Sequence, residues 1–111
     1  MGYDLHITRK KFWIDANGSQ ITSQDWLSYI ANDPQLRLRP DSKDHTATIL
    51  IESEYPEPWL SWSDGNIYTK NPDLPILAKM LQIASALGAK VQGDDGEVYR
   101  SANFEDAVQE E

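Results

Sequence analysis

Polar and apolar residues alternate at the start of the chain, with Tyr3, Leu5 and Ile7 set against Asp4, His6 and Thr8. A period of two is that of a β-strand with one buried face. The period then lengthens. Trp26, Leu27 and Ile30 recur at helical spacing up to the break at Asn32-Asp33-Pro34, and Thr22 and Asp25 are spaced as in a capping box. Residues 36–44 show neither period and read as irregular, with Pro40-Asp41 marking a loop. Residues 46–51 are rich in β-branched side chains and predict a strand. The prolines of Glu54-Tyr55-Pro56-Glu57-Pro58 then interrupt it, because neither can donate to a ladder.

The clearest hairpin follows. Trp59–Ser63 and Asn66–Lys70 flank Asp64-Gly65, the dipeptide that a type I′ turn prefers. A two-residue loop opposes Trp62 to Ile67 and Ser61 to Tyr68, so Trp62 and Ile67 face the core while Trp59 and Tyr68 fall on the other face. Asn71-Pro72-Asp73-Leu74-Pro75 starts a helix with Asp73 as its cap. Leu77, Met80, Leu81, Ala84 and Leu87 form its apolar stripe, and Gly88 supplies the left-handed residue after it. Two short strands, 89–92 and 97–99, flank Asp94-Asp95-Gly96. The order β-α-β-β-β-α-β-β predicts an α+β two-layer sandwich, a mainly antiparallel sheet with two helices on one face. Residues 1–104 read as a single domain, and 105–111 as an acidic tail expected to fray.

Composition narrows the function. The 111 residues include no cysteine, which excludes disulfides, thiolate metal sites and a cysteine nucleophile. His6 and His45 lie on different elements, and neither has a His or Glu at metal-ligand helical spacing. There is no glycine-rich phosphate loop and no nucleophile elbow, so neither catalysis nor a cofactor is expected. Apolar runs such as 49–51 fall far short of the roughly 20 residues that span a bilayer. No basic segment followed by an apolar run marks a secretory signal, and His6 stands where a myristoylation start requires Ser or Thr. A cytoplasmic location without membrane attachment is the expectation.

Charge is unevenly spread. The net charge of −8 disfavours nucleic acid as a ligand, since phosphate binding needs Lys and Arg. Residues 1–43 carry six basic and five acidic side chains, whereas residues 44–111 carry four basic and thirteen acidic. The acid therefore sits in the second part of the chain, where it can steer a basic partner. Asp94, Asp95 and Glu97 are one group of candidate contacts. If Asp95-Gly96 were a two-residue turn, Asp94 and Glu97 would stand opposite one another and repel. The run reads as a solvated acidic turn, or as a knob that meets Arg or Lys on a protein; a calcium loop needs a longer series of oxygen ligands. Glu52, Glu54 and Glu57 beside Trp59 form a second group, acids rimming an aromatic anchor. Tyr68, on the same sheet face as Trp59, joins it, and these two rings are either exposed or covered by a second copy. Trp13, beside Arg9-Lys10-Lys11, reads as a packing residue of the first loop in preference to a second contact site.

The segments Tyr3-Asp4-Leu5-His6-Ile7-Thr8-Arg9, Lys70-Asn71-Pro72-Asp73 and Gly93-Asp94-Asp95-Gly96-Glu97 resemble those of small bacterial proteins similar to the immunity proteins of polymorphic-toxin and contact-dependent inhibition systems. The similarity covers nearly the whole chain, but its segments are turns and strand starts, so no residue role carries over. The resemblance implies a cytoplasmic inhibitor that binds one cognate toxin domain, a basic one and a nuclease by the charge argument. Two other readings stay open: a small metal-dependent enzyme using His6 or the Asp94-Asp95-Glu97 cluster, and a homo-oligomeric interaction domain using the exposed sheet face.

Overall fold

The alternating segment at the start of the chain becomes a central strand, β1 (Asp4–Thr8), in the computed structural model, which describes residues 3–109. The expected strands follow as β3 (Ala47–Ile49), β4 (Trp59–Ser63), β5 (Asn66–Lys70), β6 (Lys90–Gly93) and β7 (Glu97–Tyr99). Two short strands join them, β2 (Leu36–Leu38) and β8 (Val108–Gln109). All eight pair antiparallel in the order β2-β3-β4-β5-β1-β6-β7-β8. Helices α1 (Ser23–Ala31) and α2 (Leu74–Ala86) cover one face, giving the α+β sandwich.

Local chemistry sets the boundaries of the elements. Both halves of the capping box at Thr22 and Asp25 are made, which satisfies two orphan amides of α1. Asp73 accepts from the Ile76 amide at the start of α2. At its end the Ala89 amide reaches back to the Ala84 carbonyl at 2.8 Å, with Gly88 at φ +63, a Schellman closure. Asp64 (φ 52) and Gly65 (φ 82) both take the left-handed region that a type I′ turn requires. The hairpin register is the expected one, Trp62 opposite Ile67 and Ser61 opposite Tyr68.

Alternation puts Leu5, Ile7, Leu60, Ile67 and Val91 on the helix-covered face, where they meet Trp26, Leu77, Met80 and Ile83. Each such side chain contributes about 1.5–3 kcal/mol by leaving water. The Trp26 indole N–H is satisfied by the His45 carbonyl at 2.8 Å. A charged group also enters this layer: the Lys79 ammonium of α2 lies 2.7 Å from Asp33 and 2.7 Å from Gln35 Oε1.

Two expectations change. Residues 36–44 are not wholly irregular, because Leu36 is buried and its Leu-Arg-Leu segment pairs with β3 as an edge strand. The expected frayed tail is partly ordered: Phe104–Asp106 make a turn of 3₁₀ helix and β8 pairs with β7, while 110–111 lie outside the described residues. Among the described residues no helix is long and apolar enough to cross a membrane.

Candidate functional site

The face away from the helices carries a continuous row of side chains, Ser61, Tyr68, His6, Gln92, Val98 and Val108, one from each neighbouring strand. The loop that follows β1 returns over this row. Its Trp13 donates its amide to Gln92 Oε1 at 2.7 Å and its indole N–H to the Asp94 carbonyl at 3.3 Å. The Trp13 carbonyl accepts from Asn66 Nδ2 at 2.8 Å. Trp13 thus lies flat on His6, with ring centroids 3.8 Å apart and planes 6° from parallel. The packing role expected of Trp13 is met, and its partner is a histidine.

His6 is buried, and its Nε2 lies 3.0 Å from Asp94 Oδ1. Burial pulls the imidazole below its usual value, against the hydrogen bond and charge of Asp94 and the charge of Asp4. Because a carboxylate only accepts, the neutral ring carries its proton on Nε2. The other Asp94 oxygen accepts from the Asp4 amide at 3.0 Å. Asp94 is therefore turned inward as a clamp and is half-buried.

The acidic turn differs from the two-residue version. The Gly96 amide bonds the Gly93 carbonyl at 3.0 Å, Gly96 has φ +87, and Gln92 pairs with Val98. This is a three-residue loop closed by a left-handed glycine, so Asp94 is not paired against Glu97. The like charges point apart. Glu97 Oε2 accepts from the hydroxyls of Tyr3 and, at 3.1 Å, Tyr99. Burial, with the neighbouring Glu97 charge, pushes the Tyr99 phenol up to about 12. Only Asp95 of this trio is exposed.

Glu52, Glu54 and Glu57 are all exposed on the loop between β3 and β4. The Ser53 hydroxyl (2.6 Å) and the Glu54 amide (2.9 Å) both donate to Asp73 Oδ2, so the cap of α2 also holds this loop. Burial raises the Asp73 carboxyl, but these bonds and the Ile76 amide outweigh it and hold the group below its usual range. Tyr55 donates to the Asn71 carbonyl at 2.6 Å, and Asn71 and Tyr3 exchange two bonds of 2.8 Å each. Since Tyr3 also reaches Glu97, a hydrogen-bonded chain Tyr55–Asn71–Tyr3–Glu97 ties the two acidic segments together. Antiparallel pairing puts both at the same end of the sheet, where β4 and β1 begin and β5 and β6 end.

Trp59 and Tyr68 lie on the open face as expected, packed edge to face at 5.7 Å and both half-buried. Burial raises the Tyr68 phenol above its usual value, with the charges of Asp44 and Asp4 adding to it. Tyr68, His6, Asn66 and Trp13 line a cleft of about 820 Å³ that also takes in Asp4, at the start of β1, and the Asp64-Gly65 turn. Trp59 packs on Tyr68 from outside the cleft, so the structure keeps together the two rings that the sequence placed on one face, and only Tyr68 lines the cleft. The contributions of Asn66, Lys10 and Asp44 to the cleft had no sequence signal beyond their polarity near a turn. Among the described residues no group of three His, Asp or Glu side chains is arranged to hold a metal ion. Comparison with protein-family models, with curated proteins and with solved structures finds no match to the chain.

Proposed function

We propose that this protein binds a basic protein partner through the acidic end of its sheet, as an immunity protein binds and neutralises a cognate toxin domain. The observation that carries the reading is the convergence of the 52–57 and 94–97 segments at one end, held in fixed relation by the Tyr55–Asn71–Tyr3–Glu97 chain. Glu52, Glu54, Glu57 and Asp95 are exposed there, and the ordinary cost of ordering long acidic loops on binding has already been met in folding. Preorganised negative charge speeds encounter with a basic surface and rejects acidic competitors. A toxin that grips phosphate must present such a basic surface. Covering it with carboxylates would block substrate by charge as well as by bulk.

The test mixes the purified chain with a toxin domain encoded beside it and measures affinity calorimetrically at rising salt. A complex that weakens with salt and is lost in Glu52→Lys/Glu54→Lys/Asp95→Lys supports the reading. A complex indifferent to both, or a toxin that stays active in the presence of excess chain, would contradict it.

The His6–Asp94 pair is the one observation that favours a catalytic alternative. Its imidazole is covered on one face by Trp13 and nearly inaccessible, which suits a structural clamp better than a base that meets substrate. Hydrolytic activity that His6→Gln abolishes while the fold is retained would favour the enzyme.

A further inference from the structure

We infer that the cleft on the open face of the sheet receives an arginine side chain of the partner. The inference rests on the proposed binding function and gives that partner a specific anchor. Three features define the chemistry of the pocket: an orphan acceptor, an excess of carboxylates and flat aromatic walls.

The orphan acceptor is Asn66 Oδ1. The Asn66 amide nitrogen is committed to the Trp13 carbonyl, which fixes the orientation of the side chain. Its Oδ1 is left as the only buried side-chain nitrogen or oxygen without a partner among the described residues, on a residue only 5% exposed. Such an atom costs about 1–3 kcal/mol while it lacks a donor. A small shift of the Asn66 side chain brings this oxygen to the cleft, where a ligand N–H relieves that cost, whereas a carboxylate or phosphate would oppose oxygen to oxygen.

The wall charge points to a cation. Asp4, Asp15, Asp44 and Asp64 line the cleft against Lys10 and Lys43, an excess of two carboxylates. The Lys10 ammonium is already held by the Asp64 carbonyl at 2.7 Å. Asp4, Asp44 and Asp64 enter no ion pair among the described residues. Burial is the main reason the Tyr68 phenol is raised, and the charges of Asp44 and Asp4 add to it.

Shape then favours guanidinium over ammonium. Arginine presents a planar fork of donors, sheds water more readily than lysine, and stacks on aromatic faces. Trp13 and Tyr68 supply such surfaces, with Asn66 and Asp44 as acceptors. Ile14, 62% exposed on the rim, offers an apolar contact for the residues that flank the arginine.

The full chain, labelled with ¹⁵N, is titrated with N-acetyl-arginine amide and with its neutral citrulline isostere while the Asn66 side-chain amide and Trp13 indole signals are followed. The expected result is saturable shifts at both, with a dissociation constant on the order of 1 mM and at least tenfold weaker binding of the isostere. Asp44→Asn, at an exposed position, should weaken the arginine analogue at least threefold without disturbing the spectrum elsewhere. Absence of saturable shifts, equal binding of the isostere, or an unchanged affinity in Asp44→Asn would each overturn the inference. Capture of a basic partner without arginine binding would overturn the cleft alone. Arginine binding with no basic partner would leave the cleft standing and remove the proposed function.

Discussion

At the scale of single residues, His6 and Lys79 show how burial changes what a charged or titratable group does. The His6 imidazole has a depressed folded-state value, so between that value and 6.5 the unfolded chain binds more protons than the native one. Stability from this group is then full above about pH 6.5 and is lost as pH falls through the window. Asp33 and Asp73 act in the same direction lower down, since each is held below 3.8 and loses its contribution as acid protonates it. His6→Gln should therefore flatten the slope of unfolding free energy below about pH 6.5 in urea titrations, leaving the steeper acid limb. Lys79 is a separate matter. Its side chain is 3% exposed and that of Asp33 8%, so Lys79→Ala would strand a buried carboxylate and should cost about 3–5 kcal/mol by the same titration. Alternation identified His6 as lying on the polar side of its strand. It could not identify Asp94 as the partner, 88 residues away, because pairing across β1 and β6 is a tertiary outcome. Lys79 likewise carries no sequence signal for burial; Asp33 and Gln35, distant in sequence, supply its partners.

At the scale of elements, the sequence was legible wherever one residue type has one physical use. Asp64-Gly65, the Thr22 capping box, the Asp73 cap and Gly88 each specified a backbone geometry that the fold adopts. It was illegible where length decides. The Leu-Arg-Leu of β2 and the two residues of β8 are too short to display a period, and only their neighbours make them strands. The 94–96 loop was legible as a turn but not in length, because Gly96 in the left-handed region adds a residue and sends Asp94 and Glu97 to opposite sides. Gly93 allows this arrangement: a Cβ there would collide with Glu97 Oε2 and the Tyr3 hydroxyl. Both atoms are side-chain ends that can move aside, so Gly93→Ala should loosen the Tyr3–Glu97 hydrogen bond and lower the urea midpoint only slightly. The loop after β1 depends on Gln92, which binds the Trp13 amide and the Lys11 carbonyl. Gln92→Ala should raise hydrogen exchange at the Trp13 amide and indole while leaving β5 and α2 protected.

At the scale of the molecule, the uneven charge visible in the sequence becomes a spatial one. Thirteen acids in residues 44–111 could have been scattered over the surface; instead, two of their clusters share one end of the sheet. Half of the candidate contacts are exposed there, Glu52, Glu54, Glu57 and Asp95, while Asp94 and Glu97 hold the end in shape. Trp59 and Tyr68 sit on the adjoining open face. Exposed charges of this kind act at long range and are screened by salt, so their effect belongs to the rate of encounter more than to the lifetime of the complex. The most direct test is the association rate of the chain with a toxin domain encoded beside it, measured by stopped flow at 50 mM and 500 mM salt. The expected result is a fall of roughly tenfold or more for the unaltered chain, and a rate already slow at low salt for Glu52→Lys/Glu54→Lys/Asp95→Lys. Equal rates at both salt concentrations, unchanged by the charge reversals, would contradict binding through the acidic end.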